Sequence, residues 1–138
     1  MKRWKENLHG FGGLDYIIFK NLPMRKSKWG DVIDLNPIVM ERLVAEAVII
    51  QRIPLRGREV RFLRKTLGLT LEKFANAINI SDSTVFKWEA KLDERLHSLN
   101  EAAVRSFFAE QFGVKMPGKF SELIGTDDHP DKIVLKAS

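Results

Sequence analysis

Hydrophobic and polar positions follow different patterns in the two halves of this 138-residue chain. The segment LDYIIFKNL, from Leu14 to Leu22, is rich in β-branched and aromatic residues, and DVIDL at 31–35 is a second short group. Such runs, bounded by turn-forming residues, are typical of β-strands. We therefore predict a β-hairpin whose strands are joined by the polar and basic segment PMRKSKWG at 23–30.

An amphipathic helix is predicted directly after the hairpin. Asn36 is a good N-cap, and Pro37 suits the first helical position because its missing N–H is not needed there. The helix should reach about Gln51, and Pro54 with Gly57 then marks a joint. Helical spacing predicts a buried side made of Ile38, Leu43, Ala47 and Ile50.

Two short helices around a tight turn are predicted between Leu71 and Trp88. Thr70 can cap the first helix, with Glu72 close behind it to complement the helix dipole. Asn79 falls at the corner, where a residue that tolerates positive φ is needed, and Ile80 fills the turn. The apolar face of the first helix is Leu71, Phe74, Ala75 and Ile78.

The second helix is predicted to begin after Ser81, a good N-cap, with Val85 and Trp88 on its inward side. Its outward side then carries Asp82, Ser83, Phe86 and Lys87. An outward face at the N-terminal half of the second helix is what enters the DNA major groove in helix-turn-helix proteins. The pattern therefore favours a DNA-binding unit over a helical hairpin that merely packs.

The segment from Gly57 to Lys91, GREVRFLRKTLGLTLEKFANAINISDSTVFKWEAK, resembles the lambda-repressor-like (Xre) helix-turn-helix family. The matching preceding helix, Glu59 to Leu67, places Val60, Leu63 and Leu67 on one face. The resemblance implies that Arg64 and Glu89 form a partly buried ion pair, which ties the first helix to the recognition helix.

The resemblance also implies DNA contacts, which we carry onto this chain residue by residue. Base contacts fall to Asp82, Ser83 and Lys87, with Phe86 as an apolar contact to a thymine methyl group. Lys87 could instead be a solvated lysine or a phosphate contact. Leu71 departs from the family, because many members have a glutamine there that braces a phosphate. Phosphate contacts are therefore expected from Arg52, Arg56, Arg58, Lys73, Thr84 and Lys91.

The order of GLDYIIFKN, a hairpin, an amphipathic helix and PLRGREVRFLRKTLGLT is similar to the MqsA-type antitoxins and related Xre regulators. Those antitoxins hold zinc through cysteines in their N-terminal domain. This chain has no cysteine, so a cysteine-ligated zinc site is excluded. The resemblance implies the DNA-binding role and leaves a toxin-neutralising role open.

Composition agrees with an anionic partner. The formal charge is +5 and the pI is near 9.6, which suits nucleic acid through counterion release, although an acidic protein would suit it too. No apolar run approaches the length of a signal-peptide core or of a membrane span, so we expect a cytoplasmic protein.

The basic connection of the hairpin, with Arg25, Lys26, Lys28 and Trp29, has two interpretations. It could contact phosphates or reach into the minor groove. We favour a solvated loop whose tryptophan packs back on the sheet, because charged loops are common on protein surfaces.

A further helix is predicted after Lys91. Ser98 and Glu101 form a capping box, and an apolar face is made of Leu99, Ala103, Phe107 and Phe112. Phe107 and Phe108 are adjacent and are not expected to share one core, so one of them should meet a second subunit. We predict a homodimer through this helix or the N-terminal module. The final KIVLKA either adds a strand to the hairpin's edge or remains mobile.

Catalysis and cofactors find little support. No nucleophile elbow, phosphate loop or paired-histidine pattern is present, and the run of Gly10, Gly12 and Gly13 is read as a flexible loop. His9 and His97 have no partner at ligand spacing. A metal site is not predicted for Asp127, Asp128, His129 and Asp131, since such clusters also form turns.

The prediction is therefore an α+β protein, mainly α, with an N-terminal β-hairpin and helix (1–54), a lambda-repressor-like helix-turn-helix domain (55–113) and a tail (114–138). It is expected to be a dimeric, sequence-specific repressor of its own operon that binds an inverted repeat in double-stranded DNA, without a cofactor. It could be the antitoxin of a toxin pair. The alternative is a protein-interaction module that neutralises a toxin directly.

Overall fold

A computed structural model describes residues 3–124 and 131–136, which form an α+β fold. The strands are β1 (Arg3–Phe11), β2 (Leu14–Ser27), β3 (Gly30–Ile33) and β4 (Ile133–Lys136). The helices are α1 (Pro37–Ile50), α2 (Gly57–Thr66), α3 (Leu71–Ala77), α4 (Asp82–Ala90), α5 (Ser98–Phe112) and α6 (Phe120–Ile124).

The chain divides into two compact units. The sheet unit comprises Met1–Val44 with Asp131–Ser138, and the helical unit comprises Ala45–Pro130. The boundary falls inside α1, whereas the sequence placed it at Pro54, because a continuous helix carries no glycine or proline to mark a division. The segment predicted as one tail is shared between the two units.

Strand β2 is the centre of the sheet. Along one edge it pairs antiparallel with β1, from Arg3 opposite Arg25 to Phe11 opposite Leu14. Along the other edge its first half pairs parallel with β4, and its last residues pair antiparallel with β3. Of the two outcomes considered for KIVLKA, the added strand is the one observed.

The predicted basic connection at 23–30 is wrong in extent, because β2 continues through it to Ser27 and only a tight turn separates β2 from β3. The prediction that Trp29 packs back on the sheet is also wrong. Its side chain is 85% exposed, and Lys28 Nζ lies 5.1 Å from the ring centroid. A turn this short carries the indole away from the sheet instead of over it.

Strand β1 was not predicted, because its sequence RWKENLHGF lacks the apolar alternation of a half-buried strand. It pairs with β2 through two irregularities in register. The reading of the glycine run as a flexible loop needs correction. Gly12 and Gly13 have φ of 60° and 82° and form the tight turn between β1 and β2, a conformation that favours glycine.

Helix α1 begins as predicted, with Asn36 Oδ1 accepting a hydrogen bond from the Ile38 N–H at 2.9 Å. The predicted buried side is wrong in part, because Ile38 is 73% exposed and Ile50 is also exposed. Apolar residues surround nearly the whole helix, so spacing alone could not select the buried side. The buried residues are Met40, Val44, Ala45, Ala47, Val48 and Ile49.

An aromatic cluster lies in the core of the helical unit. The Phe74 ring of α3 lies 5.7 Å from Phe107 and 5.2 Å from Phe108, and Phe108 stacks on Phe112 at 6.1 Å. The expectation that Phe107 and Phe108 could not share a core is therefore wrong. Phe107 stays half-buried at the edge of the cluster while Phe108 is fully buried.

The predicted capping box of α5 is also wrong. The N-cap is His97, whose Nδ1 accepts from the Leu99 N–H at 3.4 Å. Glu101 is instead buried, and the predicted apolar face is turned away from the core at Leu99 and Ala103. The buried face of α5 consists of Glu101, Val104, Arg105, Phe108, Ala109 and Phe112.

A buried guanidinium satisfies the end of α1 within the helical unit. Arg105 is 3% exposed and donates to the carbonyl oxygens of Val48 at 3.2 Å, Ile49 at 3.1 Å and Ile53 at 2.6 Å. Burial lowers the pKa of Arg105, while the Glu101 carboxylate 3.3 Å away acts in the opposite direction. The cation thus meets the negative end of the helix dipole.

The N-terminus of α2 approaches the C-terminus of α4 very closely. A Cβ on Gly57 would lie 2.1 Å from the Trp88 carbonyl oxygen and 2.6 Å from that of Lys91. The first N–H groups of α2, which have no acceptor within the helix, donate to the segment after α4. Gly57 N donates to Glu94 O, and Arg58 N donates to Leu92 O. Only glycine leaves room for this crossing.

No helix within 3–124 or among the other described residues combines the length and the apolar character needed to cross a membrane. The same described residues contain no group of His, Asp or Glu arranged to hold a metal ion. Asp127, Asp128 and His129, which were considered for such a site, lie outside them.

Gly57→Ala should destabilise the protein by about 1–3 kcal/mol or more, since α2 and α4 would have to separate to admit the methyl group. The free energy of unfolding from urea denaturation measures the loss. Asn76→Ala, at an exposed position of α3, is the control and should change stability by less than about 0.5 kcal/mol. Equal stability of the two variants would contradict the close crossing.

Candidate nucleic-acid interface

The turn between α3 and α4 is fixed by side-chain caps. Thr70 Oγ1 accepts from the Lys73 N–H at 3.1 Å, and Ser81 Oγ accepts from the Thr84 N–H at 3.2 Å. Asn79 has φ of 59°, and the Ile80 N–H donates to the Ala75 carbonyl at 3.0 Å. These contacts confirm both predicted caps and the predicted positive φ at the corner.

One side of α4 is held inward and the other is open. Val85 is fully buried, Glu89 is nearly so and Trp88 is half-buried. The opposite side carries four exposed residues from the first two turns of the helix, as the sequence predicted. We call this set the α4 face: Asp82, Ser83, Phe86 and Lys87.

Phe86 is the most unusual member of the α4 face. Its side chain is 64% exposed in the middle of a helix whose other large apolar residues are turned inward. Exposing a phenyl ring forgoes the free energy that burial would give, of order 1.5–3 kcal/mol. A single exposed apolar residue needs no explanation by itself, but this one is flanked by Ser83 and Lys87, which carry hydrogen-bonding groups.

The hydroxyl groups at the start of α4 bind one another. Ser81 Oγ lies 2.7 Å from Thr84 Oγ1 and 3.1 Å from Ser83 Oγ. Thr84 is half-buried, whereas Ser83 is exposed. The capping hydroxyl therefore orients both side chains before any partner arrives.

A bidentate ion pair holds α4 against α2. Arg64 Nε donates to Glu89 Oε2 at 2.7 Å, and Arg64 Nη2 donates to Glu89 Oε1 at 2.8 Å. The side chains are only 12% and 8% exposed. Arg64 Nη1 also donates to the Leu69 carbonyl at 2.9 Å. The hydrogen bonds to Glu89 raise the pKa of Arg64, so the guanidinium stays charged. The ion pair that the family resemblance implied is therefore present.

Three arginines expected to contact phosphates have partners within the chain. Arg56 Nε and Nη2 donate to the buried Glu59 carboxylate at 2.8 and 2.7 Å. Arg58 Nη2 contacts Asp93. These two guanidinium groups are therefore engaged around the start of α2, and their contact with phosphate stays a prediction.

Arg52 is held in the same manner. Its Nε and Nη2 donate to the Pro117 carbonyl at 3.0 and 2.6 Å, and Nη2 lies 3.6 Å from Glu122 Oε2. It also has φ of 56°, which is uncommon for a residue other than glycine. The contact with Pro117 fixes the segment that leads into α6, and a phosphate contact of Arg52 also stays a prediction.

The other phosphate candidates are the exposed Lys73 of α3, the half-buried Thr84 of α4 and the exposed Lys91 after α4. Lys91 Nζ lies 3.6 Å from Glu94 Oε2, and both side chains are largely exposed. Such a surface pair is weak, typically about 0–1 kcal/mol, so a phosphate could displace it. For these three residues, contact with DNA remains a prediction.

Sequence reasoning missed the buried carboxylates Glu59 and Glu101. Glu59 Oε1 accepts from the Arg56 N–H at 3.0 Å, and its place three residues after the N-cap was a readable capping signal. Glu101 Oε1 accepts from the Leu55 N–H at 3.1 Å, and Oε2 accepts from Arg95 Nε at 2.8 Å. No local pattern in the sequence predicts these partners of Glu101.

No protein-family model, curated protein or solved structure shows a significant match to this chain.

Glu89→Leu should destabilise the protein by about 3–5 kcal/mol, because it leaves the Arg64 guanidinium nearly buried without its carboxylate. The free energy of unfolding from urea denaturation measures the cost. Arg64→Leu combined with Glu89→Leu should be less destabilising than the sum of the two single changes. Strict additivity in this cycle would show that the two residues do not act as a pair.

Proposed function

We propose that the protein is a sequence-specific DNA-binding repressor in which α3 and α4 act as a helix-turn-helix. The observation that carries the proposal is the α4 face, an exposed set of four side chains on a helix that Val85 and the Arg64–Glu89 pair fix from behind. A recognition helix needs this combination, because base contacts require side chains held in register by a rigid support.

The chemistry of the α4 face suits base edges in the major groove. Lys87 can donate to guanine, Ser83 can donate or accept, and Asp82 can accept from the cytosine amino group. Phe86 can pack on a thymine methyl group, which gives its exposed ring a partner. A face with a donor, an acceptor and an apolar group distinguishes base pairs better than lysines alone would.

Phosphate anchoring is assigned to Lys73, Lys91 and Thr84, which lie around the same helix pair. Such contacts position the protein on DNA of any sequence, whereas the α4 face would select the sequence. We propose autoregulation as the setting, with the protein covering the promoter of its own operon.

A homodimer would place two copies of α4 on an inverted repeat. The surface that supports this is an apolar groove of about 430 Å³ between the outward side of α5 and the segment around α6. Its lining residues are Leu99, Ala102, Ala103, Ser106, Met116, Gly118, Phe120 and Leu123. Leu99 and Phe120 are exposed there, and a second copy of α5 would cover them.

The second candidate function, direct neutralisation of a toxin, is favoured by exposed apolar residues of the sheet unit. Trp29 is exposed in the turn between β2 and β3, and Ile38 and Val39 are exposed in the first turn of α1. A protein partner would gain by covering them. Unlike the α4 face, they include no set of side chains suited to base recognition.

Lys87→Ala should reduce the preference for DNA from upstream of the protein's own gene over a scrambled duplex, by about 1–3 kcal/mol, which is the usual worth of a good base contact. Fluorescence anisotropy at low and near-physiological salt measures both affinities. Lys73→Ala is the matched control, which should weaken both duplexes alike and lower the salt dependence.

Binding by the unmodified protein that shows no preference and collapses at higher salt would overturn the proposed function and favour the toxin-binding candidate. An unchanged preference with lower salt dependence in Lys87→Ala would instead make Lys87 a phosphate contact.

Ala103→Glu should convert the dimer into a monomer, because it places a carboxylate in the apolar groove on the outer side of α5. Light scattering after size-exclusion chromatography measures the mass at micromolar concentration. Ala77→Glu, the same change at an exposed position of α3, should leave the mass unchanged. A monomer mass for the unmodified protein would contradict the dimer itself.

A further inference from the structure

The positive charge of the chain is concentrated in the unit that does not contain the α4 face. The sheet unit has ten Lys and Arg against six Asp and Glu, a formal charge of +4. The helical unit has thirteen against twelve, a formal charge of +1. Most arginines of the helical unit are also occupied by its own carboxylates. The sheet unit is therefore better suited than the helical unit to bind a polyanion.

The two faces of the sheet differ sharply in character. Ile17, Phe19, Leu22, Met24 and Ile133 are buried and define one face. The alternation of β2 between the two faces shifts by one residue between Phe19 and Leu22. Asn21, which lies there, has φ of 58° and is opposite an irregularity in β1. The residues that alternate with the buried set therefore share the other face.

That second face is basic. Lys20 and Arg25 of β2 lie on it, and cross-strand partners share a face, so Arg3 and Lys136 lie on it too. Lys5 is two residues from Arg3 on β1 and belongs with them. We call these five residues the basic sheet face. Four of them are exposed and Arg25 is partly so.

Like charges oppose each other twice on the basic sheet face. Lys20 is the register partner of Lys136 across β2 and β4, and Arg3 is the partner of Arg25 across β1 and β2. Like charges placed directly opposite destabilise a sheet. Asp34 offsets the arginine pair, at 3.4 Å from Arg25 Nε and 4.0 Å from Arg3 Nη1.

The lysine pair has no such carboxylate, since no ion pair reaches Lys20 or Lys136 from the described part of the chain. Folding therefore gains nothing from placing these two lysines opposite each other. A bound anion between them would turn the repulsion into attraction for both.

We propose that the basic sheet face is a second DNA-contacting surface, which binds the phosphate backbone of duplex DNA without reading its sequence. The identification of DNA as the polyanion rests on the proposed function. The array suits a backbone, because strands about 4.8 Å apart and alternate residues about 6.6–6.8 Å apart place the Cα atoms of several lysines and arginines at regular intervals on one face. A phosphate backbone presents a row of charges in the same way.

The test compares two double variants of the full chain with the same change in charge. Lys20→Gln with Lys136→Gln removes the opposed pair, and Lys115→Gln with Lys119→Gln is the control at exposed positions of the helical unit. Anisotropy titrations over a salt series give the slope of log K against log salt concentration. The sheet variant should lower the magnitude of that slope by about 2, at roughly 0.9 for each phosphate that is no longer neutralised.

The sheet variant should keep its preference for the upstream DNA over the scrambled duplex and should be no less stable to urea than the unmodified protein. The control variant should leave the slope unchanged. Equal slopes for the two double variants would overturn the inference.

Failure of the two proposals can be told apart. If Lys87→Ala removes the sequence preference while the sheet variant keeps the full slope, the repressor function stands and the basic sheet face does not. If the sheet variant loses slope but the protein has no preference among duplexes, the basic sheet face stands and sequence-specific recognition does not.

Discussion

Buried carboxylates impose the main constraint on the helical unit. Glu59, Glu89 and Glu101 are almost fully removed from water, and a buried carboxylate is tolerated only when it is paired and hydrogen-bonded. Each one accepts from arginine, whose planar guanidinium can offer two donors at once. Arg56, Arg64, Arg95 and Arg105 are thereby drawn into the fold, whereas the lysines of the helical unit stay exposed.

Several contacts together explain how the short helix α4 can hold the α4 face in a defined position. Val85 and Glu89 tie α4 down by packing and by charge, Ser81 orients its first turn, and Gly57 lets the start of α2 reach its far end. Because these contacts fix the position of α4, the helix can expose Phe86 and Lys87 to solvent and still be held in the fold.

The sequence predicts the features that neighbouring residues determine, but not those that depend on contacts across the fold. The caps at Thr70 and Ser81 and the positive φ at Asn79 depend only on residues within a turn of the chain. The strand at Arg3–Phe11, the buried side of α1 and the partners of Arg52 and Arg105 depend on what the fold brings near. Arginine is the clearest case, because its sequence position cannot distinguish a phosphate contact from an internal one. The role of the α4 face is a proposal from chemistry and exposure.

The parallel pairing of β4 with β2 has a consequence for how the chain is made. β4 lies beyond the whole helical unit in sequence, yet it covers Ile17–Lys20 near the start. During synthesis, the backbone N–H and C=O groups on this edge of β2 therefore stay without their β4 partners until more than a hundred further residues have emerged. An uncovered strand edge can recruit a neighbouring chain. Until β4 arrives, the exposed Lys20 lies on that edge, and a lysine on an open strand edge discourages pairing with another chain.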